Sequence, residues 1–131
     1  MDILIDTQIL IWSFDNNSPL SDTYKKLLED TSNKIFVSQI SLMELSIKKN
    51  INKLPKFIPD IEEIIQQIAV TGFEVLQLKD VHIVAYQYLP VFNEHRDPFD
   101  RFLIATAQAE NLTIMTSDRK FDLYNSLIKI I

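Results

Sequence analysis

The chain contains no cysteine, which excludes disulfides, zinc–thiolate centres and cysteine nucleophiles. Its two histidines, His82 and His95, stand apart in the sequence and do not make a histidine metal cluster, so any metal here would be held by oxygen. The one glycine, Gly72, excludes the glycine-rich loops that cradle phosphates in nucleotide-binding enzymes. No apolar run approaches the roughly 18 residues of a membrane span. The first residues carry Asp2 and Asp6 where a signal peptide would be basic, so the expected location is the cytoplasm, with no membrane partner. Positive charge is also scarce. A net charge of −5 and a pI near 4.9 argue against a broad electrostatic nucleic-acid binder, while leaving room for a local basic patch. What is present is enough for one core: 131 residues, 47% of them apolar, predict a single domain over residues 1–131.

The apolar residues are distributed as alternating strands and helices. Met1 to Ile5 is a short apolar run that ends in Asp6 and reads as a buried strand delivering a carboxylate at its C-terminal end. Ile9 to Phe14 reads as a short helix, Asp15 to Pro19 as a turn, and Ser21 or Asp22 as the cap of a helix to about Asp30. A second strand, Lys34 to Val37, leads through Ser38 into a helix ending near Asn50. Asp60 opens an amphipathic helix that Gly72 ends, Phe73 to Leu78 alternates like a strand, and Asp80 to Leu89 reads as helical. Leu112 to Met115 is another buried strand, Phe121 to Asn125 a short helix, and Leu127 to Ile131 a final strand. This order predicts a mostly parallel sheet with helices on both faces.

The most informative stretch is HRDPFDRFLIATA, His95 to Ala107. Asp97 followed by Pro98 is an N-cap and first-turn proline, so a helix begins at Pro98 and runs to about Glu110. Asp100 lies in its first turn, where the helix dipole favours negative charge, but on the face that Leu103 and Ile104 turn inward. A carboxylate at the edge of a core requires an arginine, a backbone donor or a metal. Three other acids share the placement. Asp6 and Asp118 follow strands, and Glu44 stands one turn after Ile40 on the inward side of its helix. In an open parallel sheet ligands bind beyond the carboxyl ends of the strands, and Asp6, Glu44, Asp100 and Asp118 all reach that edge. Four converging carboxylates repel one another, which a divalent cation relieves. Mg²⁺ and Mn²⁺ take oxygen ligands, and metal-assisted phosphodiester hydrolysis is the chemistry implied.

Each acid also has an ordinary reading. Asp6 and Asp118 suit helix caps, Glu44 completes a Ser41-x-x-Glu44 capping box and stands one turn before Lys48, and Asp97 is best explained as a cap. The three arginines, Arg96, Arg101 and Arg119, each adjoin one of these aspartates, either to contact phosphate or to neutralise their neighbours. Lys48, Lys49, Lys53 and Lys56 form a basic run, either a solvated face or a path for a nucleic-acid backbone. His95 is read as a structural loop residue ahead of a phosphate contact, His82 carries no functional signal, and Trp12 and Phe14 are read as core or interface ahead of base-stacking groups.

These motifs resemble the PIN-domain ribonucleases of the VapC toxin type. ILIDTQILIW (residues 3–12) resembles the family's opening strand with its first aspartate, SLMELSIK (41–48) the segment with its glutamate, and TSDRKF (116–121) the segment with its fourth acid. HRDPFDRFLIATA resembles a subgroup signature in which Asp100 matches the third acid. The resemblance implies a three-layer α/β/α fold with a central five-stranded parallel sheet and Mg²⁺- or Mn²⁺-dependent endoribonuclease activity. On this reading Asp6, Glu44, Asp100 and Asp118 hold one or two metal ions that activate water for in-line attack, with Thr7 and Ser117 orienting carboxylates or waters. The resemblance also implies a cognate antitoxin whose C-terminal segment blocks the site, and a homodimer. The alternatives are a DNA or structure-specific nuclease using the same acids, and a non-catalytic protein-binding module in which they are caps. A receiver domain would require an aspartate after the third strand and a lysine after the last. A haloacid-dehalogenase-type phosphatase would require Asp-x-Asp after the first strand, where Gln8 occupies the second position.

Overall fold

The computed structural model describes residues 1–131. Four strands, β1 (Asp2–Ile5), β2 (Lys34–Ser38), β3 (Glu74–Leu76) and β4 (Thr113–Met115), form one sheet in the order β3-β2-β1-β4. All three pairings are parallel, with Ile5 opposite both Val37 and Met115. The helices are α1 (Thr7–Ser13), α2 (Asp22–Glu29), α3 (Gln39–Asn50), α4 (Ile61–Thr71), α5 (Asp80–Gln87) and α6 (Pro98–Glu110), followed by a 3₁₀ helix, Arg119–Tyr124. No helix is long and apolar enough to cross a membrane.

Strand alternation divides the core in two, as a sheet covered on both faces requires. Ile3 and Ile5 pack with Ile35, Val37, Leu45, Ile64 and Ile68, under α3 and α4. Leu4 and Phe36 pack on the other face with Leu103, Ile104, Ile114, Phe121 and Tyr124, under α6 and the 3₁₀ helix. Leu103 and Ile104 are wholly buried, and each such side chain contributes about 1.5–3 kcal/mol by leaving water. Trp12 and Phe14 are partly buried against the first cluster.

Local chemistry sets the helix boundaries. Ser21 and Ser38 accept hydrogen bonds from Tyr24 and Ile40 N–H, capping α2 and α3. Gly72 ends α4 at φ 82°, a left-handed conformation that glycine adopts without a Cβ penalty. Asn111 ends α6 in the same conformation. Asp97 accepts from Phe99 and Asp100 N–H, and Pro98 follows it.

The expected five-stranded sheet is four-stranded. Leu127 and Ile128 are taken up by a turn that closes onto the Tyr124 carbonyl. Only the last few residues then run beside β4, through a single parallel bridge between Ile114 and Ile130 and hydrogen bonds such as Ile131 N–H to Ile114 O at 2.9 Å.

Candidate metal centre

Asp6 leaves the end of β1 and caps α1, one carboxylate oxygen accepting from Ile9 N–H at 2.8 Å. Its other oxygen accepts from the Thr116 hydroxyl at 2.5 Å. Thr116 follows β4, and its hydroxyl oxygen also accepts Asp118 N–H at 3.0 Å, so one buried side chain braces the first acid and the last. The Thr116 carbonyl is itself held by the Tyr24 hydroxyl at 2.8 Å and by the Arg119 guanidinium. Asp6 is only 4% exposed. Burial pushes its carboxyl up to about 6; the hydrogen bonds from Thr116 and Ile9 oppose this, and the charges of Asp100 and Asp118 add to it.

Asp100 occupies the first turn of α6, with Oδ2 3.0 Å from His95 Nε2. Burial raises its carboxyl above the ordinary range; the hydrogen bond from His95 opposes this, and the charges of Asp97 and Glu44 reinforce it. Asp118 caps the 3₁₀ helix by accepting Lys120 N–H at 2.9 Å. One ligand atom each from His95, Asp100 and Asp118 lies within 4.8 Å of the others. Glu44 projects from α3 and is buried. Lys48 Nζ lies 3.1 Å from its Oε2, whereas its Oε1 is buried with no hydrogen-bond partner. The capping box suggested by Ser41 and Glu44 does not form, because the N-cap of α3 is Ser38 and the Ser41 hydroxyl instead accepts from Thr7 at 3.0 Å.

The close cluster joins Asp100 and Asp118 with His95 and does not include Asp6 or Glu44; the charges of Asp100 and Asp118 nevertheless reach Asp6, and that of Glu44 reaches Asp100. Lys48 is the one lysine or arginine within ion-pair distance of any of the four acids. An unpartnered buried carboxylate oxygen, two carboxyls raised by burial and like charge, and one ammonium against four acids make a donor set that fits a hard divalent cation.

Several sequence expectations are revised by this geometry. Arg101 does not face the acids; its guanidinium is buried and donates to Pro90 O at 2.9 Å and to the Tyr124 hydroxyl at 3.0 Å. Arg96 is exposed and donates to Asn93. Thr7 bonds Ser41 and Ser117 is exposed, so the hydroxyl that orients Asp6 belongs to Thr116. Its signal was its place, the first residue past a buried strand and two before an acid. Lys49 is turned back onto the Phe57 carbonyl and ring, leaving Lys53 and Lys56 as the exposed members of the basic run. The reading of Asp97 as the cap of α6 holds: it is exposed and accepts from Phe99 and Asp100 N–H.

The PIN domain family model matches residues 3–126. The chain belongs to the PIN domain family. Solved structures of the same fold cover this PIN domain end to end. VapBC2 from Rickettsia felis, bound to a DNA fragment from the promoter, is 20% identical over 100% of this chain and 98% of the other, with a TM-score of 0.64. DNA-bound VapBC from Salmonella typhimurium is 19% identical over 100% and 97%, with a TM-score of 0.65. VapBC-1 from nontypeable Haemophilus influenzae is 20% identical over 100% and 97%, with a TM-score of 0.62. No curated protein sequence matches the chain.

Proposed function

We propose that this PIN domain is a divalent-metal-dependent endoribonuclease, the toxin of a type II toxin–antitoxin pair acting in the cytoplasm. The observation that carries the reading is the set of four carboxylates, in which Glu44 Oε1 is buried and unpartnered and Lys48 is the one lysine or arginine paired with any of them. Asp6, Glu44, Asp100 and Asp118 would hold Mg²⁺ or Mn²⁺. When bound, the metal lowers the pKa of a coordinated water and offsets charge on the phosphodiester. The chain's own contribution is orientation: Thr116 and Ile9 N–H fix both oxygens of Asp6, and Lys120 N–H fixes Asp118. Arg96 and Arg119 are exposed beside the acids and suit phosphate oxygens of a bound strand. Single-stranded RNA loops present their phosphates and bases to such an edge more readily than a duplex does. The VapBC neighbours support a cognate antitoxin for this chain as well, and a homodimer is part of the same proposal.

The test is incubation of the purified chain, freed of any partner, with structured RNA in Mg²⁺ or Mn²⁺. The expected result is cleavage that disappears with EDTA and in Asp6→Asn; full activity in Asp6→Asn refutes the assignment. Preferential cleavage of DNA identifies a DNA nuclease instead. Absence of both cleavage and metal binding identifies a non-catalytic binding module, in which Asp6, Asp97 and Asp118 serve only as the caps they visibly are.

A further inference from the structure

A line of buried polar groups runs from α6 to the acidic edge. Arg101 is 7% exposed, Tyr124 0% and His95 3%. Arg101 Nη1 donates to the Tyr124 hydroxyl oxygen at 3.0 Å, that hydroxyl lies 3.1 Å from His95 Nδ1, and His95 Nε2 lies 3.0 Å from Asp100 Oδ2. Arg101 sets the direction of this line, because a guanidinium has donors only. The Tyr124 oxygen accepts from it, and the single Tyr124 proton then has one acceptor in reach, His95 Nδ1. A neutral imidazole that accepts at Nδ1 carries its proton on Nε2. The opposite tautomer leaves the Tyr124 proton unpaired in a fully buried position and sets an imidazole lone pair against a carboxylate.

We infer that Arg101, Tyr124 and His95 form a positioning relay that holds His95 as the Nε2–H tautomer, so that His95 orients Asp100 and does not itself ligate a metal. Although His95 is close enough to Asp100 and Asp118 to be counted among metal donors, the relay removes the lone pair of the nitrogen that faces Asp100. It also explains why Arg101, adjacent to Asp100 in sequence, is turned away from the site and stacked near the Tyr86 ring at 5.4 Å. His95 occupies Oδ2 of Asp100, and no hydrogen bond engages Oδ1. What Asp100 is oriented towards rests on the metal-centre reading above; the tautomer does not.

The decisive measurement is ¹⁵N NMR of the full chain labelled at histidine, without metal, at mildly alkaline pH, with His95→Gln used to assign the His95 signals. The expected spectrum has a protonated, pyrrole-like Nε2 and a pyridine-like Nδ1, and Mg²⁺ to saturation leaves the Nε2 proton in place. A pyridine-like Nε2, or its deprotonation on Mg²⁺ binding, overturns the relay. Tyr124→Phe, which removes the donor to Nδ1 and leaves Asp100 as the one group that selects the tautomer, is expected to loosen His95 and to weaken Mn²⁺ binding about 10- to 100-fold. His95→Gln, whose amide donates near the Nε2 position, restores most of the affinity, and His95→Leu does not. Wild-type affinity in Tyr124→Phe overturns the inference. Failure of the wild-type chain to bind Mg²⁺ or Mn²⁺ sinks the metal-centre reading instead, and the metal-free spectrum still decides the tautomer.

Discussion

Replacing Asp6 by Asn separates the cost of the acidic edge from its use. Asp6 is wholly enclosed between Thr116, Ile9 and the neighbouring acids, and its carboxyl is raised from 3.8 to about 6. A folded-state pKa above the unfolded one means that the folded chain binds the proton more tightly. The contribution of Asp6 to stability is therefore greatest below about pH 4, declines as pH rises through 6, and stays lower above it. The gap, at about 1.4 kcal/mol for each pKa unit, amounts to about 3 kcal/mol of native-state stability absent at pH 8. The substituted asparagine would keep the cap to Ile9 N–H, since its carbonyl oxygen accepts equally well. Its amide would face the Thr116 hydroxyl and force that group to rotate, giving back about 1 kcal/mol. Metal-free Asp6→Asn is thus expected to be more stable than wild type by about 2 kcal/mol at pH 8 and nearly equal to it at pH 4. Mg²⁺ at about 100 times its Kd is expected to stabilise the wild type by about 2.7 kcal/mol and the variant far less. Urea titrations at the two pH values, with and without Mg²⁺, measure all four quantities. An Asp6→Asn chain no more stable than wild type at pH 8 would refute the view that strain is stored at this carboxylate.

Glu44→Gln removes the charge behind the orphaned Oε1 and the pairing with Lys48; we expect Mn²⁺ affinity by calorimetry to fall at least about tenfold. Asp97→Ala deletes the α6 cap and is expected to cost about 1 kcal/mol in urea denaturation while leaving Mn²⁺ affinity within about twofold of wild type; a large loss of affinity would make Asp97 a ligand. Leu103→Ala opens a cavity in the wholly buried layer beneath α6 and is expected to destabilise the chain by about 2–5 kcal/mol, which a denaturation midpoint reads directly.

Most of the fold was legible because its signals are local. Alternating apolar runs specify strands buried on both faces, Asp97-Pro98 specifies a helix start, and Gly72 specifies a left-handed stop, each through physics acting within a few residues. The acids were legible for the same reason, since their positions at strand ends and on inward helix faces follow from periodicity. The final strand was misread because an apolar run does not reveal that a turn onto the Tyr124 carbonyl takes up part of it. Side-chain partners at long sequence separation lie beyond periodicity altogether. Thr116 meets Asp6 only because β4 lies beside β1, and Tyr124 meets His95 and Arg101 only because the 3₁₀ helix packs against α6. The sequence alone determined that a parallel sheet would carry four carboxylates along one edge; the tertiary structure decided which groups hold them there, because a buried hydrogen bond depends on which donors the packed layers leave within about 3 Å.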